Sequence, residues 1–152
     1  MSKPVIIAAD AMGGDNSPDK IISGISEYLK KNNNIYFRIF GKKIAVENAI
    51  SKHQLNKNFY EIIECEEVVE NNDSPLSAAK KKNTSMWQAI NDVKEKKSNV
   101  IVSAGNTGAL FVISKLSMNM IENISKPALA ALWPNKIDMN IVLDLGANVE
   151  CD

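Results

Sequence analysis

Apolar positions along the chain come in two kinds of run, short continuous ones and longer ones with helical spacing, and the two kinds alternate. Residues 5–9 (VIIAA) are continuously apolar and stop at Asp10, as expected of a strand buried on both faces of a parallel sheet. The loop DAMGGDNSP follows, after which Ser17 as N-cap and Pro18 as first helical residue open a helix in which Ile21, Ile22, Ile25, Tyr28 and Leu29 share one side. The unit then repeats. A strand at 35–40 is closed by Gly41, and a helix at 42–52 places Ile44, Ala45, Ala49 and Ile50 inward. A third strand at 60–65 runs into EEVVENNDSP, which reads as a long loop. Thr84 caps a helix striped by Met86, Ala89, Ile90 and Val93, and Asn99 ends it before a strand at 100–103. SAGNTGA opens a further helix at 107–120, and two last apolar runs, 128–132 and 141–145, flank a turn at Pro134.

Strands alternating with helices predict an α/β fold: one domain over residues 1–152 whose mostly parallel, doubly wound sheet carries helices on both faces. The chain stops seven residues after Leu145, so the final strand lacks the covering helix of such a unit, and the chain reads as truncated.

Composition narrows the function. Eighteen basic residues balance eighteen acidic ones, which argues against holding nucleic acid or an anionic membrane through bulk charge. No apolar run is long enough to span a bilayer, and MSKPVIIAAD lacks a signal-peptide layout, so the expected location is cytoplasmic. Cys65 and Cys151 form neither a disulfide framework nor a metal clip, and His53 is the lone histidine. No metal and no cofactor are expected. Arg38 is the one arginine, so an anion must be held by backbone amides or lysines.

Five of the seven glycines fall in three loops: Gly13 and Gly14 in DAMGGD, Gly105 and Gly108 in SAGNTGA, and Gly146 in DLGANV. Each loop follows an expected strand. Because ligands of open α/β sheets bind beyond the carboxyl ends of the strands, the three loops predict one crevice, although glycine also serves in plain tight turns. SAGNTGA presents amides near Asn106, Thr107 and Gly108 at the positive end of a helix, a seat for phosphate to which Ser103, Asn106 and Thr107 can add side-chain bonds. It is neither a Walker motif nor a GxGxxG fingerprint, which disfavours ATP and NAD. Asp10, Asp15 and Asp144 bring carboxylates to the same edge, and Lys80, Lys81 and Lys82 offer a basic run for an acidic partner or simply a solvated face.

DAMGGD at 10–15, KKKNTSM ending at Met86, SAGNTGA at 103–109 and DLGANVEC at 144–151 together resemble the phosphate acyltransferase (PlsX) family. The resemblance runs the full chain but covers only the N-terminal half of that family's usual length. Two positions depart from its pattern: Lys80 stands where arginine is usual, and Thr84 where serine is common. The resemblance implies an α/β/α sandwich of the isopropylmalate dehydrogenase and phosphate acetyltransferase type. It also implies transfer of a fatty acyl group from acyl carrier protein to inorganic phosphate, giving acyl phosphate for phospholipid synthesis. Family members are homodimers, lie peripherally at the membrane when full-length, and feed a membrane glycerol-3-phosphate acyltransferase. On this reading Asp10, Asn106 and Asn148 are the catalytic candidates, with phosphate on the 103–108 loop and the acyl group on the neighbouring loop, or the reverse. Gly13, Gly14, Asp15, Ser103, Gly105, Thr107, Gly108, Asp144 and Gly146 bind substrate, and Lys80–Lys82 dock the carrier protein. Two rivals remain: a short-chain phosphate acetyl- or butyryltransferase using coenzyme A, and an inactive truncated chain.

Overall fold

In chain order the elements are β1 (Val5–Asp10), α1 (Asp19–Leu29), β2 (Ile35–Gly41), α2 (Lys43–His53), β3 (Tyr60–Glu64), α3 (Pro75–Ala78), α4 (Ser85–Lys94), β4 (Val100–Ser103), α5 (Thr107–Ser117), β5 (Ala130–Pro134) and β6 (Met139–Leu143). They come from a computed structural model that describes residues 3–124 and 126–144. The chain divides into two units, Met1–Ser117 and Met118–Asp152, each of which is described by itself.

In the first unit the strands pair in the order β3-β2-β1-β4, all parallel, with Ala9 opposite both Ile39 and Val102 and Asp10 opposite Phe40 and Ser103. This is the α/β architecture expected from the alternation of strands and helices. The two-residue period of the strands sorts their side chains onto two faces. Ala9, Phe37 and Ile39 meet Ile22 and Ile25 of α1 and Val46, Ala49 and Ile50 of α2. Ala8 and Phe40 meet Ala89 of α4, while Met86 and Ile90 of α4 pack with Ala109 and Ile113 of α5. Ile22 and Ile39 are fully buried, each contributing about 2 kcal/mol from apolar area removed from water.

Several local expectations need correction. Ser17 does not cap α1: the helix begins at Asp19 after Pro18, and the Ser17 hydroxyl instead donates to the Gly13 carbonyl at 2.6 Å. Ile44 is not on the inner side of α2 but 75% exposed, because the buried stripe is set by Val46, Ala49 and Ile50. The long loop after β3 contains α3, which opens with Ser74 as N-cap, accepting from the Ser77 amide at 3.2 Å, and Pro75 in its first turn.

In the second unit β5 and β6 form an antiparallel hairpin, with Leu132 opposite Ile141. Pro134 is the last residue of β5, not the turn. Asn135 builds the turn, its side-chain oxygen accepting from the amides of Ile137 and Asp138 at 2.8 and 2.7 Å. So short a connection allows only antiparallel pairing, since a parallel partner needs a crossover of a dozen residues or more. Asp144 follows β6 with φ 55°, its amide donating to the Leu129 carbonyl at 2.6 Å.

Candidate active site

The strand order places the reversal of connection between β1 and β4, the topological switch point at which open α/β sheets bind ligands. Two of the three glycine loops leave the sheet there. Their approach is so close that a Cβ on Gly13 would lie 2.7 Å from Asp10 Oδ2, 2.8 Å from the Gly105 nitrogen and 2.9 Å from Ser103 Oγ. Gly14 has φ +88°, and a Cβ on it would meet the Ala104 carbonyl at 2.6 Å. The sequence pairs these glycines because the two loops touch backbone to backbone.

Asp10 ties the crevice together. It is 1% exposed and ends β1. Its Oδ1 accepts from the Ser85 hydroxyl at 2.6 Å and the Met12 amide at 3.3 Å, and its Oδ2 accepts from the Ser103 hydroxyl at 2.7 Å. Ser103 Oγ in turn accepts from the Gly105 amide at 3.2 Å. Three hydrogen bonds offset the desolvation of a carboxylate that would be costly if left unpartnered. The arrangement also turns the Gly105 amide inward, toward Ser103.

At that helix start Asn106 is the N-cap: its Oδ1 accepts from the Ala109 amide at 3.0 Å. Its Nδ2 donates to the carbonyls of Asn71 at 3.3 Å and Asp73 at 3.0 Å. Among the described residues the Thr107 and Gly108 amides have no protein acceptor, which leaves them at the positive end of an eleven-residue helix. Asp15 sits at the rim, accepting from Asn71 Nδ2 at 3.2 Å.

The lysines part company. Lys81 reaches both carboxylate oxygens of Asp73, at 2.9 and 2.7 Å, and this bond, followed by the Glu70 amide, lowers the Asp73 carboxyl below its usual range. Lys80 is exposed, and Lys82 lies 5.9 Å from the centre of the Trp87 ring. Gly146 and Asn148, like Cys151, lie outside the described residues. Asp144 belongs to the second unit. Cys65 is buried, which pushes its thiol up to about 11, and His53 ends α2 with its Nε2 3.0 Å from Asp19 Oδ1.

Sequence reading missed Ser85 and the segment around Asn71, Asp73 and Pro75. Ser85 directly follows the Thr84 cap, where a hydroxyl in the first turn of a helix that reaches the crevice was the available signal. Ser74 followed by Pro75 was the other, a helix start within an Asn- and Asp-rich loop.

Concavity alone would have pointed elsewhere. A cavity of about 560 Å³ is lined by Ser26, Lys52, His53 and Phe59, and by none of the loop residues above. The paired loops favour the switch point, because that cavity lies at the C-terminal ends of α1 and α2, where the helix dipoles present their negative ends. Among the described residues no three His, Cys, Asp or Glu side chains gather as a metal would require, and no helix is long and apolar enough to cross a membrane.

Residues 5–152 match the model of a family described as fatty acid synthesis protein. The chain belongs to that family. Among similar curated proteins, the phosphate acyltransferase of Pelagibacter ubique is 60% identical over 152 residues, covering 99% of this chain and 45% of the relative. That of Neorickettsia sennetsu is 44% identical over 156 residues, with 99% and 45% covered. That of Clostridium acetobutylicum is 38% identical over 148 residues, with 97% and 45% covered. The chain thus spans less than half the length of these relatives, and the family resemblance seen in the four loop motifs holds over the N-terminal part of the family.

Proposed function

We propose that the chain carries the phosphate-handling part of a phosphate acyltransferase that moves a fatty acyl group from acyl carrier protein to inorganic phosphate. What supports this reading most is the meeting of the Asp10–Gly14 and Ser103–Gly108 loops at the switch point, in a member of a family whose relatives bear the phosphate acyltransferase name. Phosphate is held by the Thr107 and Gly108 amides and by the dipole of α5. One of its oxygens attacks the thioester carbonyl carbon, forming the new C–O bond. The tetrahedral oxyanion is stabilised by amides of the Gly13–Gly14 turn, then collapses with cleavage of the C–S bond, and the carrier-protein thiolate leaves. Since phosphate is itself the nucleophile, the protein's contribution is placement, which agrees with a site built from backbone and hydroxyls.

In this reading Asp10 organises the loops from within, and exposed Lys80 and Lys82 meet the acidic carrier protein. The full-length protein works as a homodimer in the cytoplasm, peripheral to the membrane, and hands acyl phosphate to a glycerol-3-phosphate acyltransferase.

The test is acyl phosphate formation from phosphate with palmitoyl carrier protein or palmitoyl coenzyme A, comparing this chain with a version extended to the length of its relatives. Product with carrier protein and not with coenzyme A is expected from the extended version. Product with coenzyme A alone, or none from either chain, overturns the assignment.

A further inference from the structure

A segment of the first unit, residues 70–79, crosses from one site loop to the other, and its attachments converge on a single side chain. At one end Asn71 bonds to Asp15 beyond the Gly13–Gly14 turn. At the other, Pro75 packs on the first turn of α5, its Cγ 2.9 Å from where a Cβ on Gly108 would be. Between them Asn106 donates both amide hydrogens to the segment, one to the Asn71 carbonyl and one to that of Asp73, while its oxygen caps α5 through Ala109. The Lys81–Asp73 pair braces the segment from outside.

We propose that Asn106 is a positioning residue that seats the 70–79 segment as the outer wall of the anion site, coupling that wall to the cap of α5. The planar amide makes the coupling obligatory, since rotating it away breaks all three bonds at once. Few side chains can do both jobs. Serine caps a helix about as well as asparagine but is too short and has one donor; aspartate caps but donates nothing. The inference rests on the reading of the α5 start as the phosphate seat only for its kinetic consequence, and its structural part stands without it.

The experiment is amide hydrogen exchange on the full chain, comparing Asn106→Ser with the parent. Two lost hydrogen bonds predict exchange roughly tenfold faster in residues 70–79, with the Ala109 and Leu110 amides unchanged. Asn106→Ala, which also removes the cap, is expected to free both regions. In the extended, active protein Asn106→Ser is expected to raise KM for phosphate with little change in kcat. Unchanged exchange in 70–79, or equal loosening of α5 in the serine variant, overturns the proposal. If the serine variant does not fold, Asn106→Asp, which keeps the cap acceptor and loses both donors, repeats the test: faster exchange in 70–79 is expected, and no change again overturns the proposal. An inactive parent with the expected exchange pattern refutes the function while leaving the wall intact.

Discussion

The two faces of the parallel sheet are built on different principles. Under α1 and α2 the core is alanine, isoleucine, valine, leucine and phenylalanine. Toward α4 and α5 it holds Asp10, Thr84, Ser85, Asp92, Ser98 and Ser117, which are the buried polar and charged residues among those described. Besides the Asp10 cluster, Asp92 holds Arg38 through Nε at 2.9 Å and Nη2 at 3.1 Å and accepts from the Ser98 hydroxyl at 2.6 Å, while Arg38 also bonds Glu61. One face maximises the hydrophobic gain; the other gives up part of it for directional bonds that fix where loops leave the sheet.

Substitutions should separate the two. Ile39→Ala, on the apolar face, is expected to cost about 3–4 kcal/mol in denaturant unfolding through lost burial and a cavity, with phosphate binding by the folded fraction unchanged. Asp92→Ala should cost about 3 kcal/mol, because Arg38 keeps a largely buried charge with only the half-exposed Glu61 beside it; replacing Arg38 by Met in the same chain should recover much of that loss. Gly13→Ala should cost about 2 kcal/mol, since a Cβ there drives into the Gly105 backbone, and should abolish phosphate-induced shifts in the amides of Thr107 and Gly108 measured by NMR. A gain of polar-face stability with intact phosphate binding in that variant would erase the contrast.

The smallest effect belongs to the helical layer of the apolar face. Asp19 is held below the usual carboxylate range, first by its bond to Lys52 and then by His53. A carboxyl whose folded value is depressed stabilises above its unfolded value and loses that contribution as pH falls through the folded one. Asp19→Asn should therefore be slightly less stable than the parent at neutral pH and equal to it in acid, a convergence that unfolding midpoints across pH would reveal. Cys65 marks the other face: with its thiol raised to about 11, a thiol reagent should label it only as the chain unfolds.

How legible each face was in the sequence follows the same divide. Val5 to Ala9, the Ile22 and Ile25 stripe and the order of elements could be read because burial imposes a period on sequence. Gly13, Gly105 and the Thr84 cap could be read because each residue type has a narrow geometric use. Ser85 and Asn71 were harder to read: the Thr84 cap places Ser85 in a first turn, but a serine or asparagine is common on any surface and the partner of each lies far along the chain. The two Ser-Pro pairs show the limit of a capping signal: Ser74–Pro75 opens a helix as its chemistry suggests, whereas the Ser17 hydroxyl turns back to the Gly13 carbonyl, an acceptor four residues earlier in the same loop.

The Asp10 cluster has a consequence for how the molecule comes into being. Its bonds join residues 75 and 93 positions apart, whereas β1, α1, β2, α2 and β3 complete their layer within the first 64 residues. During synthesis the apolar half can therefore assemble while Asp10 still faces solvent, and the carboxylate is withdrawn from water only once Ser85 and then Ser103 have emerged. Formation of the site is thus a late event in the life of the nascent chain, and the state of Asp10 reports that the sheet has gained its fourth strand.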